Sequence, residues 1–282
     1  MLTASEERRR RVMQAVHELA LKLGLEVSPR ILKDSNNTIV HLAPLPLVAK
    51  VGTSHFRDAS LEALDRELDV ARHLASKNAP IVYPSAEVPA GPHRVADLIV
   101  TLWQFHQDRG GPDDDKAFGP LLARVHETLL DYPGPLPPFT AELYDVGQIL
   151  RDKPRLSRLS EEDHAFLRTT HQVLQSIVSA IRPETRPLHG SPHSGNWLNA
   201  RAGPLLLDFE TACRGPLEWD LSAMGDESLD AFPHIDRDLL TLLRRVRSLC
   251  VAVKCWIDPG RAPEVGEAAV VHLRLLRGEP LD

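Results

Sequence analysis

Apolar residues at Val12, Val16, Leu19 and Leu23 recur every three or four positions, which predicts a first helix over about residues 5–23. Three short strand-like runs follow, at 27–32, 38–42 and 47–51, parted by turn-forming residues such as "KDSNN" at 33–37. They predict an antiparallel meander. The segment "SLEALDRELDVARHLAS" at 60–76 reads as a helix with Ser60 as N-cap and Leu64, Ala71 and Leu74 on one face. Prolines at 80, 84, 89 and 92 then lead to "RVADLIVTLWQF" at 94–105, the longest predicted strand.

Beyond the polar stretch "HQDRGGPDDDK" at 106–116 the periodicity is mainly helical. Phe118, Leu121, Leu122, Val125 and Leu129 share one helical face. Phe166, Val173, Leu174, Ile177 and Ile181 share another, opened by Ser160 and Asp163 as a capping pair. Two more helices are predicted over 239–253 and 265–276, and a strand-rich insertion, 188–209, lies between. The expected class is α+β with two lobes. Residues 1–103 form a small antiparallel-sheet lobe with a helix, and residues 104–282 a larger, mainly helical lobe.

Composition narrows the picture. With 282 residues, 43% hydrophobic and 26% charged, the chain reads as an ordinary globular protein. No run approaches the roughly 18 apolar residues of a membrane span, so no membrane partner is expected. The N-terminal arginines precede an amphipathic pattern, not a continuous apolar region, so no export signal is read. The three cysteines, Cys213, Cys250 and Cys255, form no CxxC pair. A cytoplasmic protein with reduced thiols is expected. The net charge of −6 argues against non-specific nucleic-acid binding. Residues 104–282 carry 20 Lys and Arg against 27 Asp and Glu, a balance that suits a cationic ligand but more often marks a solvated acidic surface.

The densest polar cluster is "HGSPHSGNWL" at 189–198, and three chemistries compete for it. A nucleophile elbow needs glycines two residues before and after its serine. Ser191 is flanked there by His189 and His193, and Ser194 by Pro192 and Asn196. A two-histidine, one-carboxylate metal site could use His189, His193 and Asp208, although Pro192 opposes the helix that presents such a pair. Phosphoryl transfer needs a strand lysine for the phosphates, a helical glutamate to hold it, and an asparagine and aspartate for magnesium. Lys50 is the only charge in the apolar run "LVAKV", and a lone buried ammonium is costly without a carboxylate. Glu67 falls on the apolar face of its helix, whereas Glu62, Asp65 and Asp69 do not. A structural ion pair remains the plain alternative for those two residues. Asn196 and Asp208 are close enough in sequence for a hairpin to bring them to one site.

The chain resembles the aminoglycoside phosphotransferase family, the small-molecule branch of the protein-kinase-like fold, over nearly its whole length. The resemblance rests on "SNNTIVHL" with "LVAKV", "LDRELDVARHLA", "LLARVH", "LHGSPHSGNWL" and "LLLDFETACRGPLEWDLS". The last two pieces, with their DFE and GP-x-x-x-DL elements, are the specific ones. There is no GxGxxG or GxxxxGK[ST] loop. The resemblance implies that the turn from Ser35 to Thr38, with Asn36 and Asn37, covers the phosphates of ATP or GTP. It implies Lys50 on those phosphates, Glu67 as its pair, and Asn196, Asp208 and Glu210 about Mg2+. It places the purine against the segment around Trp103 and Phe105, and gives Asp220 a structural role under the loop.

One position departs from the family pattern. The loop of this family reads HGD-x-x-x-x-N, and Ser191 stands where the aspartate would accept the hydroxyl proton. A neutral hydroxyl is no base at neutral pH. Three explanations stay open: transfer through a loose transition state with little need of a base, a substitute base in His193 or Glu210, or a nucleotide-binding pseudokinase. The expected activity is transfer of the γ-phosphate to an alcohol group of a small molecule. An aminoglycoside or another amine-bearing antibiotic is the first candidate acceptor, weakly supported by Asp113, Asp114 and Asp115.

Overall fold

The computed structural model describes residues 4–35, 37–53, 61–110 and 115–280. The chain divides into two compact units that are discontinuous in sequence: residues 1–114, 121–134 and 194–211 form the first, and 115–120, 135–193 and 212–282 the second. The cut after residue 103 expected from the sequence follows linker composition, whereas these units follow packing.

In the first unit, helix α1 (Ala4–Lys22) is followed by strands β1 (Ser28–Asp34), β2 (Thr38–Ala43) and β3 (Leu47–Val51). Helix α2 (Leu61–Ser76) precedes β4 (His93–Val95) and β5 (Leu98–Gln104). The five strands form one antiparallel sheet in the order β1-β2-β3-β5-β4. Alternation along each strand splits its residues between two faces. Val40, Leu42, Leu47, Ala49, Val51, Val100 and Leu102 lie on one, packed with Val12, Ala15, Val16 and Leu19 of α1. Ile39 lies opposite Lys50 and His41 opposite Val48, while Thr101 and Trp103 complete the same two rows. That second face carries the lysine.

The single long strand expected at 94–105 is a hairpin, with β4 and β5 joined through Ala96 and Asp97. Ala96 takes a positive φ of 52°, which nothing in the dipeptide announces. Ser60, the expected cap of α2, lies outside the described residues.

Helix α3 (Asp115–Leu129) buries Phe118, Leu121, Leu122, Val125 and Leu129, the face its spacing predicts. Helix α4 (Thr140–Arg151), which the periodicity did not predict, packs with α5 (Glu161–Ala180). Ser160 caps α5 by accepting the Asp163 N–H at 3.1 Å. The buried face of α5 differs from the one expected: Val173 is 54% and Ile177 42% exposed, while Leu167, Leu174 and Val178 are buried. His164 and His171 complete the inward stripe. Their Nε2–H groups donate at 3.0 Å to the carbonyls of Leu150 and Leu143, which lets two polar rings occupy core positions.

Strand β6 (Arg186–Leu188), the hairpin strands β7 (Trp197–Ala200) and β8 (Gly203–Leu206), and β9 (Cys213–Gly215) account for the strand-rich insertion. β6 pairs with β9 and β7 with β8. Helices α6 (Leu217–Leu221), α7 (Arg237–Cys255) and α8 (Pro263–Arg277) complete the second unit. Its core joins Leu143, Val146, Leu167, Leu174, Trp219, Leu243, Val246 and Leu249. Among the described residues no helix is long and apolar enough to cross a membrane.

Candidate active site

Lys50 projects from the second face of the sheet and is buried. Its Nζ donates to Glu67 Oε1 and Oε2 at 2.8 and 2.9 Å, and to Asp208 Oδ1 at 2.9 Å. Glu210 Oε1 lies 2.9 Å from the same ammonium. Glu67 reaches it because it shares the buried stripe of α2 with Leu64 and Ala71. Three carboxylates therefore surround one ammonium.

The electrostatics follow from that imbalance. Burial pushes the Glu67 carboxyl up to about 8, Lys50 opposes the shift, and the charges of Glu210 and Asp208 add to it. Burial by itself would lower Lys50, but Asp208, Glu210 and Glu67 outweigh it and hold the ammonium well above its ordinary range. Oxygens of Glu67, Asp208 and Glu210 all lie within 4.8 Å of one another. An all-oxygen donor set with surplus negative charge fits a hard divalent cation.

The β7–β8 hairpin fixes the ends of this cluster. Asn196 is buried at its start, and its carbonyl accepts the Leu207 N–H at 2.9 Å beside Asp208. Asp208 itself has φ 69°, a left-handed conformation that aspartate tolerates and most residues avoid. A backbone outlier held at a carboxylate is a recurrent mark of a functional position. Glu210 is tied twice: its Oε1 accepts Asn37 Nδ2 at 2.6 Å, and its carbonyl accepts Arg66 at 3.0 Å. The turn that carries Asn37 is anchored in turn by Asp34, which accepts Arg8, Arg9 and Thr38. Asn36 lies outside the described residues, as do Asp113 and Asp114, and the side chain of Asp115 is not described.

Trp103 and Phe105 stand on and just past β5. Trp103 is buried and donates its Nε1–H to Thr101 Oγ1 at 2.8 Å, in the row beside Lys50. The Phe105 ring stacks on His41, with centroids 3.9 Å apart and planes 12° from parallel.

In the second unit the HGS loop is clamped around Gly190, whose φ of 93° suits glycine. Asp220, fully buried in α6, accepts the N–H of His189 at 2.9 Å and that of Gly190 at 2.7 Å. Arg247 of α7 donates to the Gly190 carbonyl at 3.0 Å and lies over the Trp219 ring, 4.0 Å from its centroid. Asp220 thus has the supporting place its motif implied. Arg247 was not singled out from the sequence, although it sits on the inward stripe of α7 between Leu243 and Cys250, where an arginine is unusual. Ser191 is half-buried and His193 exposed, with the His193 N–H donating to the Ser191 carbonyl at 3.0 Å. His189 is fully buried and its Nδ1 accepts the Ser191 N–H at 3.2 Å, which leaves that nitrogen no lone pair for a metal. The histidine metal site is not supported.

A kinase-type lysine–glutamate pair beside an aspartate-bearing hairpin defines the class, and comparison with known proteins gives the family. The chain belongs to the phosphotransferase enzyme family, whose model matches residues 11–246. It is therefore read as an enzyme that moves a phosphoryl group to a hydroxyl. No curated protein sequence matches the chain. Solved structures do. An amicoumacin kinase in complex with AMP-PNP, Ca2+ and Ami aligns with a TM-score of 0.69 at 12% identity, over 97% of this chain and 98% of that one. A choline/ethanolamine kinase family protein from Mesorhizobium loti aligns with a TM-score of 0.65 at 14% identity, over 94% of each chain. The GDP and kanamycin complex of APH(2")-IIia gives 0.64 at 16% identity, over 93% of this chain and 97% of that one. These likenesses establish the kinase-like fold expected from the sequence.

Proposed function

We propose that the chain transfers the γ-phosphoryl group of a nucleoside triphosphate to a hydroxyl of a small, amine-bearing molecule. The observation that carries this reading is the Lys50 centre. A structural ion pair needs one carboxylate; Lys50 has three, two of them on the segment 208–210 that the family motif marks. Such surplus charge is useful where a cation and a polyphosphate are to be held together.

In this reading Lys50 binds the phosphates and Glu67 keeps its ammonium in place. Asn196, Asp208 and Glu210 hold the divalent cation, with Mg2+ expected. When bound, that cation neutralises charge on the transferred phosphoryl group. Asn37 lies over the phosphates, and Trp103 and Phe105 flank the base. Ser191 orients the acceptor hydroxyl, and His193, two residues on, takes its proton. The amine-bearing acceptor is inferred from the names of the structural relatives, since ethanolamine and kanamycin are both amino alcohols.

Thermal-shift measurements with ATP and GTP, each with and without Mg2+, test the centre. Stabilisation that needs nucleotide and cation together, and that Lys50→Met removes, is expected. Its absence overturns the proposal. Transfer to a panel of aminoglycosides, amino alcohols and sugars then identifies the acceptor, and His193→Ala is expected to lower turnover across pH 6–8.

A further inference from the structure

Helix α1 covers the face of the sheet opposite Lys50, with Val12, Ala15, Val16 and Leu19 as its buried stripe. Arg8 lies one helical turn before Val12 and continues that stripe. Its side chain is only 17% exposed, a place where a guanidinium is costly unless an acceptor meets it. Asp34 meets it. Arg8 Nε and Nη2 donate to the two Asp34 oxygens at 3.3 and 3.1 Å, and Arg9 Nε donates to Asp34 Oδ2 at 2.8 Å. The Asp34 side chain is 5% exposed. Burial by itself would raise its carboxyl, but Arg8, Arg9 and Thr38 hold it below its ordinary value.

Asp34 pairs with Thr38 where β1 meets β2, so its carboxylate stands at the root of the turn that carries Asn37. From there a run of bonds leads to the Lys50 centre. Thr38 Oγ1 donates to Asp34 Oδ1 at 2.9 Å and lies 3.2 Å from Thr53 Oγ1. The Thr53 N–H donates to Asn37 Oδ1 at 3.3 Å, and Asn37 Nδ2 donates to Glu210 Oε1 at 2.6 Å. Both ends of the Asn37 amide are therefore engaged, which fixes its plane. Thr38 and Asn37 are buried, so water has little access to these bonds. Closing a hairpin does not call for two guanidinium groups on one buried carboxylate. Their effect is to fasten the turn to the body of α1.

We propose that Arg8, Arg9 and Asp34 are positioning residues for nucleotide binding: they fix the root of the turn to α1, so that Asn37 stays seated against Glu210 and the turn meets the phosphates preformed. A turn that is already ordered loses less conformational freedom when a polyphosphate binds. The inference rests on the nucleotide reading of the Lys50 centre. It goes beyond that reading by giving control of affinity to α1, which touches no ligand in it.

The test uses the full chain with Mg2+, titrated by calorimetry with ATP and with inorganic tripolyphosphate, alongside urea unfolding. Arg8→Met keeps an apolar stem and removes the charge; Asp34→Asn keeps the shape and removes the charge that both arginines pair with. Each is expected to weaken both ligands about 10-fold, the lower end of what a hydrogen bond to a charged group is worth. Arg8→Lys, which restores the cation, should recover most of the loss. Val12→Ala is the control. It costs stability by opening the buried stripe of the same helix and leaves the Asp34 cluster in place, so its affinities should stay at wild-type values. Urea midpoints report whether each variant is folded, and Arg8→Met carries the test where Asp34→Asn is not. Wild-type affinity in the folded variants, or an equal loss in Val12→Ala, overturns the assignment and leaves the Lys50 centre standing. A wild type that binds neither ligand removes the nucleotide reading and this inference with it.

Discussion

The clamp on Gly190 makes a stability prediction that can be worked from its contacts. Asp220 accepts two backbone N–H groups, at 2.9 and 2.7 Å, from His189 and Gly190, all within buried surroundings. Asp220→Ala leaves both buried donors without their acceptor. At about 1–3 kcal/mol for each stranded group, the expected loss is roughly 2–6 kcal/mol. That is a large part of the roughly 5–15 kcal/mol that separates a folded domain from its unfolded state. Asp220→Asn keeps one acceptor oxygen and turns an NH2 toward the other amide, so about half that loss is expected.

Arg247 provides the second arm. Its guanidinium bonds the Gly190 carbonyl, the Trp219 carbonyl and Ser222 Oγ, so Arg247→Met removes the Gly190 carbonyl's donor and the tie between that loop and α6. Because both variants release one peptide segment, their costs should be less than additive, as expected for residues that share a partner. Urea unfolding followed by tryptophan fluorescence reads this directly, since the buried Trp219 ring lies under Arg247. If Asp220→Ala shifts stability by less than about 1 kcal/mol, the loop is not held as described. If the double variant loses the full sum, the two residues do not act on a common segment.

Three other expectations can be checked independently. Leu174→Ala should cost about 2–5 kcal/mol in urea unfolding, and Val173→Ala less than about 0.5 kcal/mol; a comparable loss at both positions would restore the helix face read from the sequence, which held the two together. Gly147→Ala, ordinarily favourable inside a helix, should destabilise α4 by about 1–3 kcal/mol, because a Cβ there would meet the buried His171 ring at 2.7 Å. For Glu67, whose carboxyl is pushed from 4.5 up to about 8, the folded state holds the proton more tightly than the unfolded state. Its contribution is full below about pH 4.5 and is lost as pH rises through about 8, so thermal midpoints of wild type should fall over that window and those of Glu67→Gln should fall less. Equal pH profiles for the two proteins would count against the crowding of charge at Lys50.

What the sequence disclosed depends on whether a position is defined by its neighbours in the chain or by its neighbours in space. The meander, α2 and α3 are spelled by local periodicity, and Glu67 was legible because a carboxylate on an apolar stripe demands a cation. The β4–β5 hairpin was not, because Ala96 adopts a turn conformation that alanine does not advertise. On α5 the pattern misled for a physical reason: His164 and His171 are polar by composition and yet inward, since each donates to a carbonyl of α4. A hydrophobicity count cannot see such a bond, so it turned the helix toward Val173 and Ile177.

The same distinction applies at the candidate site. Lys50, Asn196 and Asp208 could be picked out singly, but the convergence of Asp208 and Glu210 on the Lys50 ammonium depends on the φ of 69° at Asp208 and on the anchors Asn37 and Arg66. Those ties are tertiary and leave no trace in spacing. They bear on how the substitution at Ser191 is to be understood. General-base assistance is worth about 10²–10⁴-fold, whereas positioning and charge stabilisation supply most of phosphoryl-transfer catalysis. In the proposed reading, a chain with the three-carboxylate centre and the two-sided clamp on Gly190 keeps the larger contribution. Ser191→Asp should therefore raise transfer or leave it unchanged, while Lys50→Met should abolish it; a rate that depends on neither would place the chemistry elsewhere in the molecule.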